Sequence, residues 1–166
     1  STGGAGAAGQ GVPERAAPAG EPPEDEGSAG GTPGDGGGGL DAPADDPFAG
    51  AVVLAEPMEF TTPSGNISCT LDLGYARCDI VERDWEPPPP PEDCEVDFGQ
   101  GVEVDDSGAS LVCAGDTVLG AAQTLPYGEA VQGGRIACVS QRAGVRCEHL
   151  DTGAGFVLSR TSYDLY

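Results

Sequence analysis

The cysteine spacing constrains this 166-residue chain more than any other feature of its sequence. Cys69 and Cys78 are nine residues apart, and so are Cys138 and Cys147. Eight intervening residues suit an antiparallel hairpin in which the two cysteines face each other across the strands. The spacing therefore predicts a disulfide within each of two hairpins.

The remaining two cysteines, Cys94 and Cys113, pair by elimination. An even number of cysteines in a chain of secreted character indicates disulfides and a location outside the cytoplasm. Zinc is disfavoured, because zinc sites use thiolates at spacings such as C-x2-C and no two cysteines here lie closer than nine residues.

Short apolar runs separated by turn residues continue through the rest of the C-terminal part. Val102 and Val104 alternate with acidic residues, and a turn at 106–108 leads into the apolar run 109–113. Further strand-like runs lie at 155–159 and 163–166, and no window has sustained helical periodicity. The sequence predicts an all-β fold, a small disulfide-braced sandwich or barrel of about seven to nine short strands.

The composition divides the chain at about residue 56. Residues 1–50 contain 15 Gly and 7 Pro with a single aromatic residue, which predicts a disordered, acidic Gly/Pro-rich linker over 1–56. The disulfide-bonded β domain is predicted to occupy 57–166. The apolar segment 47–55 is expected to dock the linker onto that domain, with a first strand or a short entry helix as the alternatives.

The charge balance excludes several classes of partner. The chain has 28 acidic residues, 7 Arg and no Lys, for a net charge of −21, which argues against nucleic acid and acidic membranes. No apolar run is long enough to cross a bilayer, and no signal peptide is present, so a removed one is expected. The start at 1–4 resembles the residues after the lipidated cysteine of bacterial lipoproteins, with an ordinary signal-peptidase cut as the alternative.

Several motifs resemble an uncharacterised domain family of secreted proteins and lipoproteins of actinobacteria. The likeness covers about 58–166, and its clearest motifs are Phe60-Thr61-Thr62-Pro63-Ser64-Gly65-Asn66-Ile67-Ser68-Cys69 and Cys113-Ala114-Gly115-Asp116-Thr117. The resemblance implies an extracytoplasmic, disulfide-bonded domain. It implies no activity for any named residue.

Candidate catalytic groups are few. His149 is the single histidine, no Gly-x-Ser-x-Gly motif is present, and every cysteine is expected to be oxidised. We therefore expect His149 to have an exposed or hydrogen-bonded surface role. Paired carboxylates could cleave glycosides, but so acidic a domain offers such pairs by chance.

Calcium is the one metal that the composition leaves as an alternative, because it prefers oxygen ligands. The sequence places carboxylates densely between the Cys69–Cys78 hairpin and the turn at 106–108, at Glu92, Asp93, Glu95, Asp97, Glu103, Asp105 and Asp106. The EF-hand pattern is absent, and a solvated acidic face with Asp side chains capping a turn is the expected structure. No cofactor is expected.

Trp85 and Tyr127 are the predicted binding surface. Trp85 precedes five consecutive prolines, which form a polyproline II segment. We expect a stiff crossover loop in which Trp85 caps the core and Cys94 holds the far side. The alternative is a proline-rich ligand for aromatic-lined grooves.

These observations predict a non-enzymatic, extracytoplasmic binding or accessory module of the cell envelope, on a flexible acidic tether, with a protein or glycan partner. Two alternatives stay open. A secreted carboxylate-dependent hydrolase would need a deep pocket with two converging carboxylates. A proteinase-inhibitor-like module would present a protruding loop over Pro87–Cys94 and would lack a pocket.

Overall fold

The computed structural model describes residues 46–166, which form eleven strands in two sheets. The first sheet has the order β1-β7-β8-β9-β10-β11, with β1 (Val52–Leu54), β7 (Ala130–Gly133), β8 (Ile136–Gln141), β9 (Gly144–His149), β10 (Gly155–Leu158) and β11 (Tyr163–Leu165). The second has the order β2-β3-β4-β5-β6, with β2 (Met58–Thr61), β3 (Ile67–Leu71), β4 (Tyr75–Ile80), β5 (Phe98–Asp105) and β6 (Gly108–Cys113). No helix lies within residues 46–166.

The two sheets pack face to face around one core, so the all-β prediction is confirmed and the architecture is a sandwich. Phe60 from the second sheet and Phe156 from the first are fully buried in this core. The predicted count of seven to nine strands was too low. Short strands such as the three-residue β1 and the four-residue β7 are too brief for a readable alternation.

The two hairpins predicted from the cysteine spacing are present. Cys69 lies opposite Cys78 in the β3–β4 pair, and Cys138 lies opposite Cys147 in the β8–β9 pair. The corresponding disulfides have Cα–Cα distances of 4.0 and 4.1 Å, and all four cysteines are fully buried. Each sheet therefore carries one disulfide on its inner face.

The third disulfide joins Cys94 to Cys113, with a Cα–Cα distance of 5.9 Å. It ties the proline-rich connection between β4 and β5 to the end of β6. These three are the pairs that the spacing predicts, and no cysteine is free. Disulfides of this number are typical of a domain that folds in an oxidising compartment outside the cytoplasm.

The folded part begins before the predicted boundary at residue 57. Phe48 is buried against Ala137 and Val139, and β1 pairs in parallel with β7. The segment 47–55 therefore docks onto the domain, as expected, and also supplies its first strand. The rest of the predicted linker, residues 1–45, lies outside the described part of the chain.

Candidate functional site

Five loops from both sheets meet at one end of the sandwich, which we call the groove end. They are the connections β2–β3, β4–β5, β8–β9 and β10–β11 and the segment that leads into β7. The antiparallel order brings them together, because successive turns of each sheet alternate between its two ends. The turns β3–β4, β5–β6, β7–β8 and β9–β10 lie at the opposite end.

A polar groove lies between these loops. Its first compartment has a volume of about 390 Å³ and is lined by residues from both sheets, including Tyr127, Arg142, Thr161 and Ser159. A second compartment of about 520 Å³ adjoins it. The residues common to both are Ser64, Asn66, Tyr127, Arg142 and Arg160. The volumes are in the range of small-ligand sites.

Two guanidinium groups dominate the electrostatics of the groove. Arg142 lies over the ring of Tyr127, with its Cζ 5.1 Å from the ring centroid. Within residues 46–166 it makes no hydrogen bond and no ion pair. Arg160, by contrast, pairs with Glu82 at 3.2 Å and with Asp84 at 3.4 Å. Arg142 is therefore the cation that the groove leaves without a carboxylate among the described residues.

The turn that carries Arg142 is held close to the loop that carries Arg160. Arg142 and Ala143 are the two central residues of the tight β8–β9 turn. Gly144 follows at φ 145°, and its backbone lies so near the Leu158 carbonyl that a Cβ would overlap that oxygen. Only glycine allows this approach, which brings the two arginine-bearing turns of the first sheet side by side.

Asn66 fixes the opposite wall. Its Nδ2 donates to the Glu82 carbonyl at 2.9 Å, and its Oδ1 accepts from the Glu82 N–H at 2.8 Å. This reciprocal pair joins the β2–β3 turn to the start of the β4–β5 connection. The hydroxyl of Thr62 bonds both to Ser64 and to the backbone of Ile67, which holds the β2–β3 turn in shape.

The structure separates the two predicted binding residues. Tyr127 lines the groove, whereas Trp85 lies behind it and does not line it. The Trp85 indole N–H donates to the Ser159 carbonyl at 2.9 Å, and its ring packs 4.6 Å from that of Tyr163. Trp85 also packs against the core, as expected for a capping residue. It supports the floor of the groove and does not offer a free face to a ligand.

A buried ionic network holds the loop that leads to Tyr127. The side chain of Arg77 makes a two-point contact with Asp79 at 2.9 and 2.9 Å and bonds to Asp116 at 2.8 Å. Asp79 is fully buried and also accepts from Thr117 Oγ1 and the Val118 N–H. Loop 114–129 is thereby anchored to β4 by the charged residue of the Cys113–Thr117 motif.

The charges of this network are mutually stabilised. Burial alone acts to lower the pKa of Arg77, but its bonds to Asp79 and Asp116 outweigh burial and raise that pKa above its ordinary value. The bond from Arg77 lowers the pKa of Asp116. Both groups therefore stay ionised, which suits a structural ion pair and not a proton donor.

His149 is buried, which differs from the surface position that the sequence suggested, and it is hydrogen-bonded on both ring nitrogens. Nε2 lies 3.0 Å from Asp106 Oδ1, and Nδ1 lies 3.3 Å from the N–H groups of Asp151 and Thr152. Because Nδ1 accepts, we assign the proton to Nε2. With both nitrogens occupied, His149 serves to join turns at the opposite end of the sandwich.

The acidic segment considered for calcium is dispersed. Asp105 caps the β5–β6 turn, accepting from the Ser107 side chain at 2.5 Å and from its N–H at 2.7 Å, and these bonds lower the pKa of Asp105. In the part of the chain from 46 to 166, no group of three or more His, Cys, Asp or Glu is placed to hold a metal ion. The turn-capping role is the one that the sequence suggested.

One hollow contains two carboxylates, those of Asp97 and Asp116, in a volume of about 350 Å³. A hydrolase of the glycosidase type needs a carboxyl group that keeps its proton at neutral pH. Asp116 is unsuited to that role, since its pKa is lowered by Arg77. In this hollow Asp116 is therefore suited only to the role of an ionised base or nucleophile.

The proline-rich connection considered for a protease inhibitor lies against β5. Arg83 Nη1 donates to the Gly99 carbonyl, and Pro87 packs so closely on Gly99 that a Cβ there would overlap its ring. The disulfide at Cys94 holds the other end of this connection. The connection is therefore held at both ends, while residues 88–93 between these contacts are exposed.

Sequence reasoning missed Arg142, Arg160 and Asn66. A signal was present for Arg142, because a cysteine-paired hairpin with Gly144 places residues 142 and 143 in its turn. No local pattern shows that this turn faces the β2–β3 and β10–β11 turns. Those neighbours follow from how the two sheets stack, which is a property of the whole fold.

The fold and its groove define a disulfide-braced β-sandwich domain of extracellular type, with a loop-lined polar depression at one end. The chain belongs to the Family of unknown function (DUF6636), whose model matches residues 46–166. No curated protein and no solved structure matches the chain. Across residues 46–166, no helix has the length and apolar character needed to span a membrane.

Proposed function

We propose that this domain is a non-enzymatic, extracytoplasmic module that binds a glycan or protein of the cell envelope through the groove. The observation that carries the proposal is the convergence of five loops from both sheets around one polar depression. Rigid sandwiches commonly use loops gathered at one end for recognition, since the strands hold the loops in place at little entropic cost. The disulfides and the Arg77–Asp79 pair supply that rigidity here.

The chemistry around the groove favours binding over catalysis. His149 lies at the opposite end with both ring nitrogens in use, and Asp116 is held ionised. The groove itself offers guanidinium, amide, hydroxyl and aromatic groups, which are suited to recognition. The hydrolase therefore has less support, and a domain that acted only as a protease inhibitor would need no such groove.

The proposal includes the attachment of the domain. The Gly/Pro-rich, acidic composition of residues 1–45 supports a flexible tether to the envelope. The Arg-only basic composition supports an actinobacterial source.

A binding assay with a blocked groove tests the proposal. Ala143 is exposed in the β8–β9 turn and lines the groove, so Ala143→Trp should obstruct it. Ser107→Trp places the same side chain at an exposed turn position at the opposite end. The full chain and Ser107→Trp should bind an isolated cell-envelope fraction saturably, and Ala143→Trp should bind at least tenfold more weakly. Absence of saturable binding, or equal binding by both variants, would contradict the proposal.

A further inference from the structure

We propose that the groove binds an acidic oligosaccharide, with the Arg142 guanidinium pairing with a sugar carboxylate beside the ring of Tyr127. The proposal rests on the binding role of the groove and names its ligand class. It is carried by three properties of the groove, namely its charge, its lining groups and its position relative to the strand edges.

The distribution of arginine contacts singles out Arg142. Residues 46–166 contain 20 acidic side chains and six Arg side chains. The other five all have partners in the described chain: Arg77 with Asp79 and Asp116, Arg135 with Asp106 and Asp151, Arg146 with Glu148, Arg160 with Glu82 and Asp84, and Arg83 with the Gly99 carbonyl and the Trp85 ring. Arg83 also lacks a carboxylate partner, but its guanidinium donates to the Gly99 carbonyl. Among residues 46–166, Arg142 is therefore the arginine whose guanidinium has neither an ion pair nor a hydrogen bond.

The position of Arg142 has no evident role in folding. Its side chain is exposed in a tight turn, and its guanidinium lies over the Tyr127 ring. Stacking on that ring keeps the planar guanidinium oriented while leaving its edge N–H groups open. Such a fork matches the two oxygens of a carboxylate and forms charge-assisted hydrogen bonds with it.

The groove favours a monoanionic carboxylate over a phosphate dianion. Phosphate groups are typically met by several cationic groups at once. Here Arg160 is already paired with Glu82, and that carboxylate lines the second compartment. The open guanidinium of Arg142, next to the carboxylate of Glu82, therefore suits a ligand with one negative charge per sugar unit.

The lining groups favour a saccharide over a peptide. Hydroxyl and amide side chains of Ser64, Thr161 and Gln141 line the first compartment beside the Tyr127 ring, and such groups match sugar hydroxyls. The groove lies at the loop ends of the strands and not along an open strand edge, so a peptide cannot add there as a further strand. Ile67 and Ala143 are the aliphatic side chains that line the first compartment, which is too few to hold the apolar face of a helix.

Calorimetric titration of the full chain tests the ligand class. The probes are a trimer of α-1,4-linked galacturonic acid, which carries one carboxylate per ring, and maltotriose as its neutral counterpart. The acidic trimer should bind saturably, and maltotriose should bind at least tenfold more weakly. Equal binding of the two sugars would overturn the role of the carboxylate. Binding of hexaglutamate as tight as that of the acidic trimer would overturn the saccharide class.

Matched substitutions test the residues. Arg142→Gln should weaken binding of the acidic trimer at least tenfold, because it removes the charge-assisted pair. Tyr127→Ala should also weaken it, while Tyr127→Phe should retain most of the affinity because the ring is kept. Arg135→Gln, at an exposed arginine of the opposite end, should change the affinity less than twofold. Equal losses for Arg135→Gln and Arg142→Gln would show general charge attraction and overturn the proposal.

The envelope-binding assay separates this inference from the function on which it rests. If the acidic trimer does not bind but the full chain binds the envelope fraction and Ala143→Trp does not, the ligand class is wrong and the groove remains a binding site. If neither the trimer nor the envelope fraction binds, both the ligand class and the proposed function are wrong.

Discussion

Replacing Asp79 with Asn should destabilise the domain severely, although the two side chains are almost the same size. Asp79 is fully buried and its two oxygens accept four hydrogen bonds, two from Arg77, one from Thr117 and one from the Val118 N–H. Asn offers one oxygen and brings an NH2 donor into a site surrounded by donors. The substitution therefore leaves donors unpaired and the Arg77 charge without its principal partner.

The size of the effect follows from the burial of the pair. The Arg77 side chain is only 7% exposed, so replacing Asp79 leaves a nearly buried charge whose remaining carboxylate partner is the exposed Asp116. Breaking a buried pair by removing one member costs about 3–5 kcal/mol. The free energy of unfolding of an ordinary domain is about 5–15 kcal/mol, and such a loss corresponds to a fall of roughly 10–20 °C in Tm.

Equilibrium unfolding in guanidinium chloride without reductant measures this loss. Trp85 is the single tryptophan and lies against the core, so its fluorescence reports unfolding. Asp151→Asn is the matched control, since its ion pair with Arg135 is exposed on both sides and should contribute about 1 kcal/mol or less. A loss below about 1 kcal/mol for Asp79→Asn would refute the reasoning.

Other parts of the structure give three further predictions. Mild reduction should open the Cys94–Cys113 disulfide before the other two. Cys94 is half-buried and Cys113 is exposed, whereas the other four cysteines are fully buried. Alkylation followed by mass mapping measures the order in which the disulfides open. Burial and the hydrogen bond to Glu103 raise the pKa of Tyr75, so the folded state favours the neutral phenol. The free energy of unfolding should fall as the pH rises above about 10, and Tyr75→Phe should reduce that fall. Gly101→Ala should cost about 1–3 kcal/mol or more in unfolding experiments, since its Cβ would overlap the carbonyl oxygen of Cys78.

Each of these three predictions has a control or an outcome that would contradict it. Gly115→Ala should be well tolerated, because its added Cβ would make only ordinary contacts with Val96 at 3.7 and 3.9 Å. Equal stability of the Gly101 and Gly115 variants would contradict the close approach of β5 to β4. Earlier alkylation of a hairpin disulfide would contradict the burial argument, and an unchanged alkaline profile for Tyr75→Phe would exclude Tyr75 as its cause.

Local pattern explains why the hairpins could be predicted from the sequence. Cys69 and Cys78 are close in the chain, and the spacing fixes which residues face each other. The turn at 106–108 is equally local, and it too forms as predicted. Predicting such features requires only the two-residue alternation of a strand and the residue types that favour a turn.

Contacts between segments that are distant in the chain could not be predicted from local sequence patterns. The parallel pairing of Val52 with Val131 joins strands 79 positions apart, and β1 is only three residues long. The hydrogen bond of His149 joins it to Asp106, 43 residues away in the β5–β6 turn of the other sheet. Long-range pairing of this kind is set by the packing of the whole fold.

The candidate site was predicted only in part for the same reason. Tyr127 was predicted to form part of a binding surface, and it lines the groove. Trp85 was predicted to form part of the same surface, but its indole N–H bonds to the Ser159 carbonyl behind the groove. Sequence identifies an aromatic residue; whether its face is open depends on which loops stack on it.

Backbone amide NMR of the isotope-labelled full chain tests the central claim, that the groove end is the binding surface, most directly. The labelled chain would be titrated with a solubilised cell-envelope fraction that contains both its glycans and its proteins. The account predicts saturable shifts at the amides of the groove, above all Asn66, Tyr127 and Ala143, with Ser107 and Gly134 at the opposite end unchanged. Shifts confined to the opposite end, or a complete absence of shifts, would contradict it.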